Sequence, residues 1–388
     1  MAQRHVKEGL VELELPEDAR LDLKKGPQRA GGRMVFYNPA ARTSRDLTVA
    51  VLRTLEPPDG GWRVLDGLCG SGVRGLRVAR EVEHVREVVL NDGDEKAADL
   101  ARSQALRLGL ENVKVTSRSL DEALADSSTR FEFIDIDPYG SPARFLTAAA
   151  SRASRPGYVA VTATDVAALC GVFPGACIRR YGAAPLRNEW MKETAARILL
   201  GAAARRAGAA ERAVEPVATL STDHYIRLIY RVLKGRRFAD LSARSLGFLK
   251  LDKAGLKAPQ SIPFGRLQEE GNVLEGPGPI AGPLWLGDLH DAALLARVKL
   301  PDWIADNRAL AHFLAVAPGE SALPPFHYKL DEVARRLRGS PPSTARAVEA
   351  LKSAGFAAAP THFDRKAVKS DASPSELLEA LRPFVPRA

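Results

Sequence analysis

The sequence predicts a doubly wound, mostly parallel α/β sheet followed by a smaller C-terminal α+β domain. Short β-branched runs alternate with helix-forming stretches between residues 62 and 162, the β-α-β-α order of parallel sheets. A glycine-rich turn, Gly67-Leu68-Cys69-Gly70-Ser71-Gly72, follows the first of those runs. Composition then shifts after Gly235. Two domains are therefore expected, 1–235 (with an N-terminal extension, 1–45) and 236–388, since 388 residues exceed one ordinary domain.

Residues 11–15 alternate as V-E-L-E-L, the pattern of a strand with one buried face. Residues 24–32 are basic and glycine-rich and predict a loop ordered by a ligand. Ser44 is placed to cap a helix running through residues 49–55, with Asp46 in its first turn and Pro57-Pro58 ending it. Strands are expected at 62–65, 87–90, 113–116, 131–136 and 157–162, with helices at 73–80, 95–108, 120–125 and 142–151 between them. A long Ala-rich helix (189–207) precedes two strands, 214–220 and 225–233, whose period-two alternation suits antiparallel pairing. Residues 236–285 read as loop-rich, including Gly276-Pro277-Gly278-Pro279. Helices return at 288–298, 301–315, 330–338 and 344–354. No internal repeat is visible.

Composition narrows the class. A hydrophobic fraction of 45% excludes disorder and collagen-like fibre. Lys plus Arg total 56 against 47 Asp plus Glu, a net +9 that points to an anionic partner, nucleic acid before membrane. A well-solvated basic surface is the competing explanation. No run of about 18 apolar residues predicts a membrane span, and residues 1–20 lack the apolar core of a secretory signal. Cys69, Cys170 and Cys177 are too scattered for a disulfide framework or a paired zinc clamp. A reducing cytoplasm fits them.

The glycine turn contains G-x-G-x-x-G, which by itself also matches a nicotinamide site. Asp66, four positions before Gly70, discriminates. A carboxylate there repels a dinucleotide pyrophosphate and welcomes the ammonium of S-adenosylmethionine. Gly70 and Gly72 let the backbone approach that cofactor without a Cβ. Asp92, just beyond the second strand, is placed to accept both ribose hydroxyl protons; acids at strand ends also serve merely as caps. Ser119 and Leu120, after the third strand, fall beside the adenine.

The fourth strand runs into Asp137-Pro138-Tyr139-Gly140-Ser141-Pro142. An amino nitrogen on a nucleobase is a poor nucleophile, because its lone pair is delocalised into the ring. A carboxylate and a backbone carbonyl that accept its two N–H hydrogens localise that pair. Asp137 supplies the first and Pro138 the second, while Tyr139 offers a face on which an extruded base can stack. Taken alone, the same residues also make an ordinary β-turn.

Several segments together resemble the tRNA (guanine-N2-)-dimethyltransferase family, Trm1. They are Phe36-Tyr37-Asn38-Pro39 with Arg45-Asp46, the D-P-Y-G-S-P loop, Val161-Thr162-Ala163-Thr164-Asp165, Arg180-Tyr181-Gly182 with Pro185-Leu186, Gly282-Pro283-Leu284-Trp285-Leu286-Gly287, and Thr361-His362-Phe363. The likeness runs in the same order from about residue 6 to residue 380. It implies a Rossmann-like class I methyltransferase domain with a family-specific C-terminal domain. It also implies one or two methyl transfers to the exocyclic N2 of a guanine, usually at position 26. By matching position, Arg45, Arg74, Asp92, Ser119 and Leu120 would contact S-adenosylmethionine, and Asp137 would be catalytic. Two departures stand out. Some members carry a zinc-binding cysteine cluster, whereas residues 234–388 contain no cysteine, so no metal is expected. The glycine turn reads C-G-S-G where relatives commonly have S-A-T-G.

Arg33, Arg179, Arg180 and Arg187 flank the site segments and are candidates for RNA phosphate contacts, with a solvated turn as the alternative for Arg179 and Arg180. Arginines and lysines around 344–354 suit a helix-turn-helix-like element with a short wing that docks tRNA; a helical packing domain with ordinary surface charge accounts for them more simply. No obligatory protein partner is inferred. Other amino-group methyltransferases, acting on adenine N6 or protein glutamine, usually show a second proline (N/D-P-P-Y/F), whereas here Tyr139 follows Pro138 and Gly140 follows Tyr139. A nicotinamide oxidoreductase conflicts with Asp66, and an RNA-binding scaffold with no turnover leaves Asp137 without a purpose.

Overall fold

The computed structural model describes residues 3–16, 37–126, 128–251, 260–269, 274–275 and 278–386. The expected loop at 24–32, Arg33, Phe36 and the Gly276-Pro277 turn lie outside the described residues.

Seven strands form the central sheet: β1 (Trp62–Asp66), β2 (Val85–Asn91), β3 (Val113–Thr116), β4 (Phe131–Ile136), β5 (Ala153–Ala163), β6 (Arg212–Ser221) and β7 (Ile226–Lys234). Their order is β3-β2-β1-β4-β5-β7-β6. The first five are parallel, and β7 lies antiparallel between β5 and β6. Strands β1 and β4 are buried on both faces, as sheets covered by crossover helices must be. The helices up to residue 208 are α1 (Arg42–Thr54), α2 (Val73–Glu81), α3 (Glu95–Arg107), α4 (Leu120–Ala125), α5 (Leu146–Arg152), α6 (Val166–Leu169), α7 (Pro174–Tyr181) and α8 (Met191–Gly208).

Two apolar cores sandwich the sheet. One joins Ile134, Ile136, Val159 and Val161 to α4, α5 and α8. The other joins Val64, Val88, Leu90 and Phe133 to α1, α2, α3 and the N-terminal hairpin Gln3–Glu8/Val11–Pro16. Residues past 235 enter both. Leu246, Leu249, Leu284 and Trp285 belong to the first core, while Leu294, Leu310 and Phe313 belong to the second. A third core gathers residues between Tyr328 and Leu381, a stretch from which Phe363 alone reaches into the first. The change of composition at 235 therefore does not coincide with a break between cores; that break falls near residue 326.

Several elements differ from the sequence expectation. Helix α1 begins at Arg42, so Ser44 is inside it and buried, no acid stands in its first turn, and Asp46 is buried. The start signal is Asn38-Pro39 instead: the Asn38 side chain accepts from Ala40 N (2.9 Å) and opens a short 3-10 turn, Pro39–Ala41, that leads into the helix. The expected helix at 142–151 splits into a 3-10 turn, Ala143–Phe145, and α5. The helix expected at 301–315 is Arg308–Ser321, because Asn307 caps it through Leu310 N (3.1 Å). The loop-rich stretch hides a helix, Arg236–Arg244, and a three-stranded sheet, Leu246–Lys250, Gln260–Pro263 and Ile280–Trp285. In the C-terminal module, Leu330–Leu337 and Thr344–Ser353 are followed by the antiparallel strands Ala358–Pro360 and Ala367–Ser370. Among the described residues no helix is long and apolar enough to cross a membrane.

Candidate active site

A cavity of about 420 Å³ opens at the carboxyl ends of β1, β2, β4 and β5, where doubly wound sheets bind ligands. Strand β1 delivers Asp66 to its floor. Asp66 is buried, and its Oδ2 accepts from Gly75 N (3.0 Å). Burial, with the Asp135 charge close by, pushes its carboxyl up to about 7. Gly75 has to lack a side chain: a Cβ there would sit 2.2 Å from Leu90, lifting α2 off the sheet. Gly72 caps α2 at φ +79 and packs on Leu76 and Ala101.

Asp92 fastens the glycine turn. Its Oδ2 accepts from Gly70 N (2.9 Å) and its Oδ1 from Asp94 N (2.9 Å). Asp92 and Gly70 also line the cavity, as do Arg45, Arg74, Asp137, Pro138 and Tyr139. Gly72, Ser119 and Leu120 do not. Ser119 caps α4 in a reciprocal pair with Glu122, and Leu120 is buried beneath Gly67.

The acceptor half is built on a buried ionic lattice. Arg227 grips Asp135 with both terminal nitrogens (Nη1 at 2.9 Å) and donates to Thr48 (2.7 Å). Arg74 Nε lies 3.5 Å from Asp135, its Nη1 donates to Ser44 Oγ (3.2 Å), and its Nη2 pairs with Asp137 Oδ2. Asp137 is thus aimed by Arg74, and Arg74 is already committed within the protein. Arg45 is committed similarly: it donates to Glu8 Oε1 (2.6 Å) and to Asn38 O (3.0 Å), and Tyr37 Oη donates to Glu8 Oε2 (2.9 Å). Burial alone would raise the Glu8 carboxyl, but Arg45 and Arg77 outweigh it and hold it down to about 2.

The loop carrying Tyr139 is fixed from β5. Gly140, at φ +87, donates to Thr164 Oγ1 (2.7 Å), and Thr164 N returns a bond to Gly140 O (2.9 Å). Next in the chain, Asp165 accepts from Tyr181 Oη (2.6 Å) and Arg180 (2.9 Å). Arg179 and Arg180 end α7, and Arg179 and Arg187 are exposed.

A family described as N2,N2-dimethylguanosine tRNA methyltransferase matches residues 26–382. The chain belongs to this family, Trm1. A tRNA (guanine(26)-N(2))-dimethyltransferase from Methanothermobacter thermautotrophicus is 32% identical, over 98% of this chain and 99% of its own. One from Methanocaldococcus jannaschii is 34% identical over 97% of this chain and 98% of its own. The solved complex of Trm1 from Pyrococcus horikoshii with S-adenosyl-L-methionine superposes with a TM-score of 0.81 at 29% identity, covering 97% of this chain and 99% of that one.

Sequence reading missed part of this Trm1-family cavity. Tyr37, Asn38, Phe145, Thr162, Thr164 and Tyr225 also line it. Tyr37 and Asn38 lay inside a recognised segment; Tyr225 had no signal, because β7 reaches the cavity only through the strand order. A second cluster lies away from the site. His290, Glu320 and His362 bring ligand-capable atoms within 4.8 Å of one another. Each imidazole accepts a backbone amide on its outer nitrogen, from Thr219 N (3.1 Å) and Ser221 N (3.4 Å). The inner nitrogens therefore carry the hydrogens, toward Glu320. Metal-binding histidines have the opposite polarity, donating outward. Thr361 and His362 hold the Glu320 carboxylate, and His290 Nε2 faces it at 3.4 Å.

Proposed function

We propose that this protein transfers methyl groups from S-adenosylmethionine to the exocyclic N2 of guanine 26 in tRNA, giving the mono- and then the dimethylated base. The family match over residues 26–382 supports the reaction, and one observation carries the chemistry: Asp137 and Pro138 stand at the rim of the cavity whose floor is Asp66.

The cavity fits the cofactor. Its volume of about 420 Å³ lies in the range of small-molecule sites, and burial with the Asp135 charge raises the Asp66 carboxyl to about 7, a shift that a bound ammonium would oppose. Asp66 would hold the ammonium, Asp92 the ribose, and Gly70 the close backbone approach. Arg45 and Arg74 act from behind, ordering Asn38 and Asp137. Ser119 and Leu120 shape the adenine end through the position of α4. When bound, the cofactor supplies an electrophilic methyl on a sulfonium.

The chain supplies alignment. Arg74 occupies Asp137 Oδ2, so Oδ1 is the oxygen that accepts one N–H of the guanine amine. The Pro138 carbonyl accepts the other. These two bonds draw the nitrogen lone pair out of conjugation with the ring, toward the cofactor side of the cavity, and Asp137 Oδ1 is placed to take the proton that the methylated amine releases. Tyr139 stacks the base, worth about 1–3 kcal/mol. Holding the amine in line contributes more, on the order of 7–11 kcal/mol. Arg33, Arg179, Arg180 and Arg187 take RNA phosphates, and the module beyond residue 326 docks the tRNA. The cytoplasm is the setting in which this substrate is met.

Incubation with unmodified tRNA and labelled methyl donor, followed by nucleoside analysis, tests this reading. N2-methylguanosine and N2,N2-dimethylguanosine are expected; N6-methyladenosine would overturn it. Asp137→Ala is expected to abolish turnover and to leave donor binding by calorimetry within a few-fold of wild type. Near-normal turnover would remove Asp137 from the mechanism.

A further inference from the structure

Eight large hydrophobic side chains are exposed among the described residues: Leu10, Leu106, Tyr139, Val172, Phe173, Ile178, Phe238 and Leu241. Four of them occur on two segments that hydrogen bonds link: Tyr139 on the loop that lines the reaction cavity, and Val172, Phe173 and Ile178 on the α6–α7 hairpin. Tyr139 is 62% exposed, Val172 44%, Phe173 60% and Ile178 53%. Contiguous exposed apolar surface on a soluble protein marks an interaction site.

These side chains are not on a loose tip. Phe173 opens α7: its carbonyl accepts from Ala176 N (3.0 Å) and Cys177 N (3.2 Å), and Pro174 stiffens the first turn. Val172 N and Phe173 N both turn back to Ala167 O (2.9 and 3.3 Å). Beneath them Cys177 and Tyr181 are buried. Tyr181 reaches Asp165, which follows Thr164, and Thr164 clamps Gly140 beside Tyr139. The α6–α7 hairpin and the Tyr139 loop are therefore one rigid block. An open groove on the hairpin itself is lined by Asp165, Val172, Phe173, Arg179 and Arg180. It joins apolar surface to two guanidinium groups, the pairing that suits a nucleobase beside its phosphate.

We propose that the α6–α7 hairpin is a wedge. Phe173, supported by Val172, enters the base stack of the RNA next to the target guanine and holds the gap that the guanine leaves when it turns into the cavity. Arg179 holds the flanking phosphate. This rests on the tRNA guanine reading above. A base cannot reach a cavity wall while stacked in folded RNA, and extrusion costs a few kcal/mol. Apolar side chains inserted between bases offset that cost in other nucleic-acid complexes. The two arginines that line the groove favour an anionic RNA over a second protein as the occupant.

Phe173→Ala tests this in the full-length protein, under single turnover with tRNA. The side chain is mostly exposed, so its truncation spares the core. Phe238→Ala is the control, because Phe238 follows the end of antiparallel β7 that lies away from the cavity. Methylation by Phe173→Ala is expected to slow on the order of tenfold to a hundredfold, with donor affinity unchanged and Phe173→Trp close to wild type. On a tRNA whose target guanine faces an abasic position, and so is already loosened, the defect is expected to shrink several-fold. Equal rates on intact tRNA would overturn the wedge, and so would an undiminished defect on the loosened tRNA. A Phe173-dependent dimer in sedimentation would assign the patch to a second copy. If wild type itself methylates no tRNA, the reading of the reaction fails instead, and the two failures are told apart.

Discussion

At the scale of single residues, the proposed ammonium site at Asp66 makes cofactor binding depend on pH. Its carboxyl is raised to about 7 by burial, so below that pH it is protonated in the free protein. Binding a cationic ammonium then requires loss of that proton. Donor affinity is expected to fall by up to about tenfold per pH unit below the carboxyl's pKa, and to fall again above about 8 as the ligand amino group loses its charge. Calorimetry across this range should give a maximum between the two limbs. Asp66→Asn, which keeps an oxygen for Gly75 N, should weaken binding and flatten the acid limb only. The motif pointed to Asp66, Asp92 and Asp137 because their neighbours in the chain define them. It was silent on what Arg45 and Arg74 hold. Those two arginines face Glu8, Asn38, Ser44 and Asp137, and a pairing across 37 or 63 positions leaves no local trace.

At the scale of elements, the loop after β4 works because β5 props it. Thr164→Val removes the acceptor for Gly140 N while keeping the shape of the side chain. Turnover is expected to drop on the order of tenfold with donor affinity unchanged, since small misplacements of reacting groups cost that much; single-turnover kinetics beside calorimetry separates the two. The seat of α2 is tighter. Gly75→Ala is expected to destabilise the protein by about 1–3 kcal/mol in urea denaturation, because Leu90 and the backbone must move apart. The seven strands of the sheet were legible, as short β-branched runs at regular spacing. The strands Leu246–Lys250 and Ile280–Trp285 were not. They read L-G-F-L-K and I-A-G-P-L-W, and the glycines and proline inside them argue against strands. Those glycines are close-approach positions. A Cβ on Gly247 would sit 2.2 Å from Ile262 O, and one on Gly201 of α8 would press on the backbone of Leu284 and Trp285 at 2.9 Å. The same packing makes residues 246–285 part of the catalytic body, although their composition suggested a separate domain.

At the scale of the whole molecule, two buried carboxylates join the C-terminal module to that body. Glu193 on α8 accepts from Arg197 (Nε, 3.0 Å), Phe326 N (3.0 Å) and Lys369 Nζ (2.8 Å). Glu320 accepts from Thr361 Oγ1 (2.5 Å) and pairs with His362, with His290 3.4 Å away. Burial drives the His290 imidazole down to about 4, against the pull of Glu320. Between that value and about 6.5 the unfolded chain binds a proton there that the folded protein refuses, so acid favours unfolding. The His290 contribution lost on acidification from about pH 6.5 to 5 is on the order of 2 kcal/mol. Urea titrations of wild type and His290→Gln at the two pH values should differ by that amount; parallel losses would exclude His290 as the source. A joint of this kind has a bearing on choice of substrate. If the far module docks the tRNA as proposed, salt-bridged side chains rather than a tether set its distance from the Asp137 pocket, and the enzyme would work as a caliper. An insertion of one base pair between the two points of contact is then expected to silence an otherwise correct guanine.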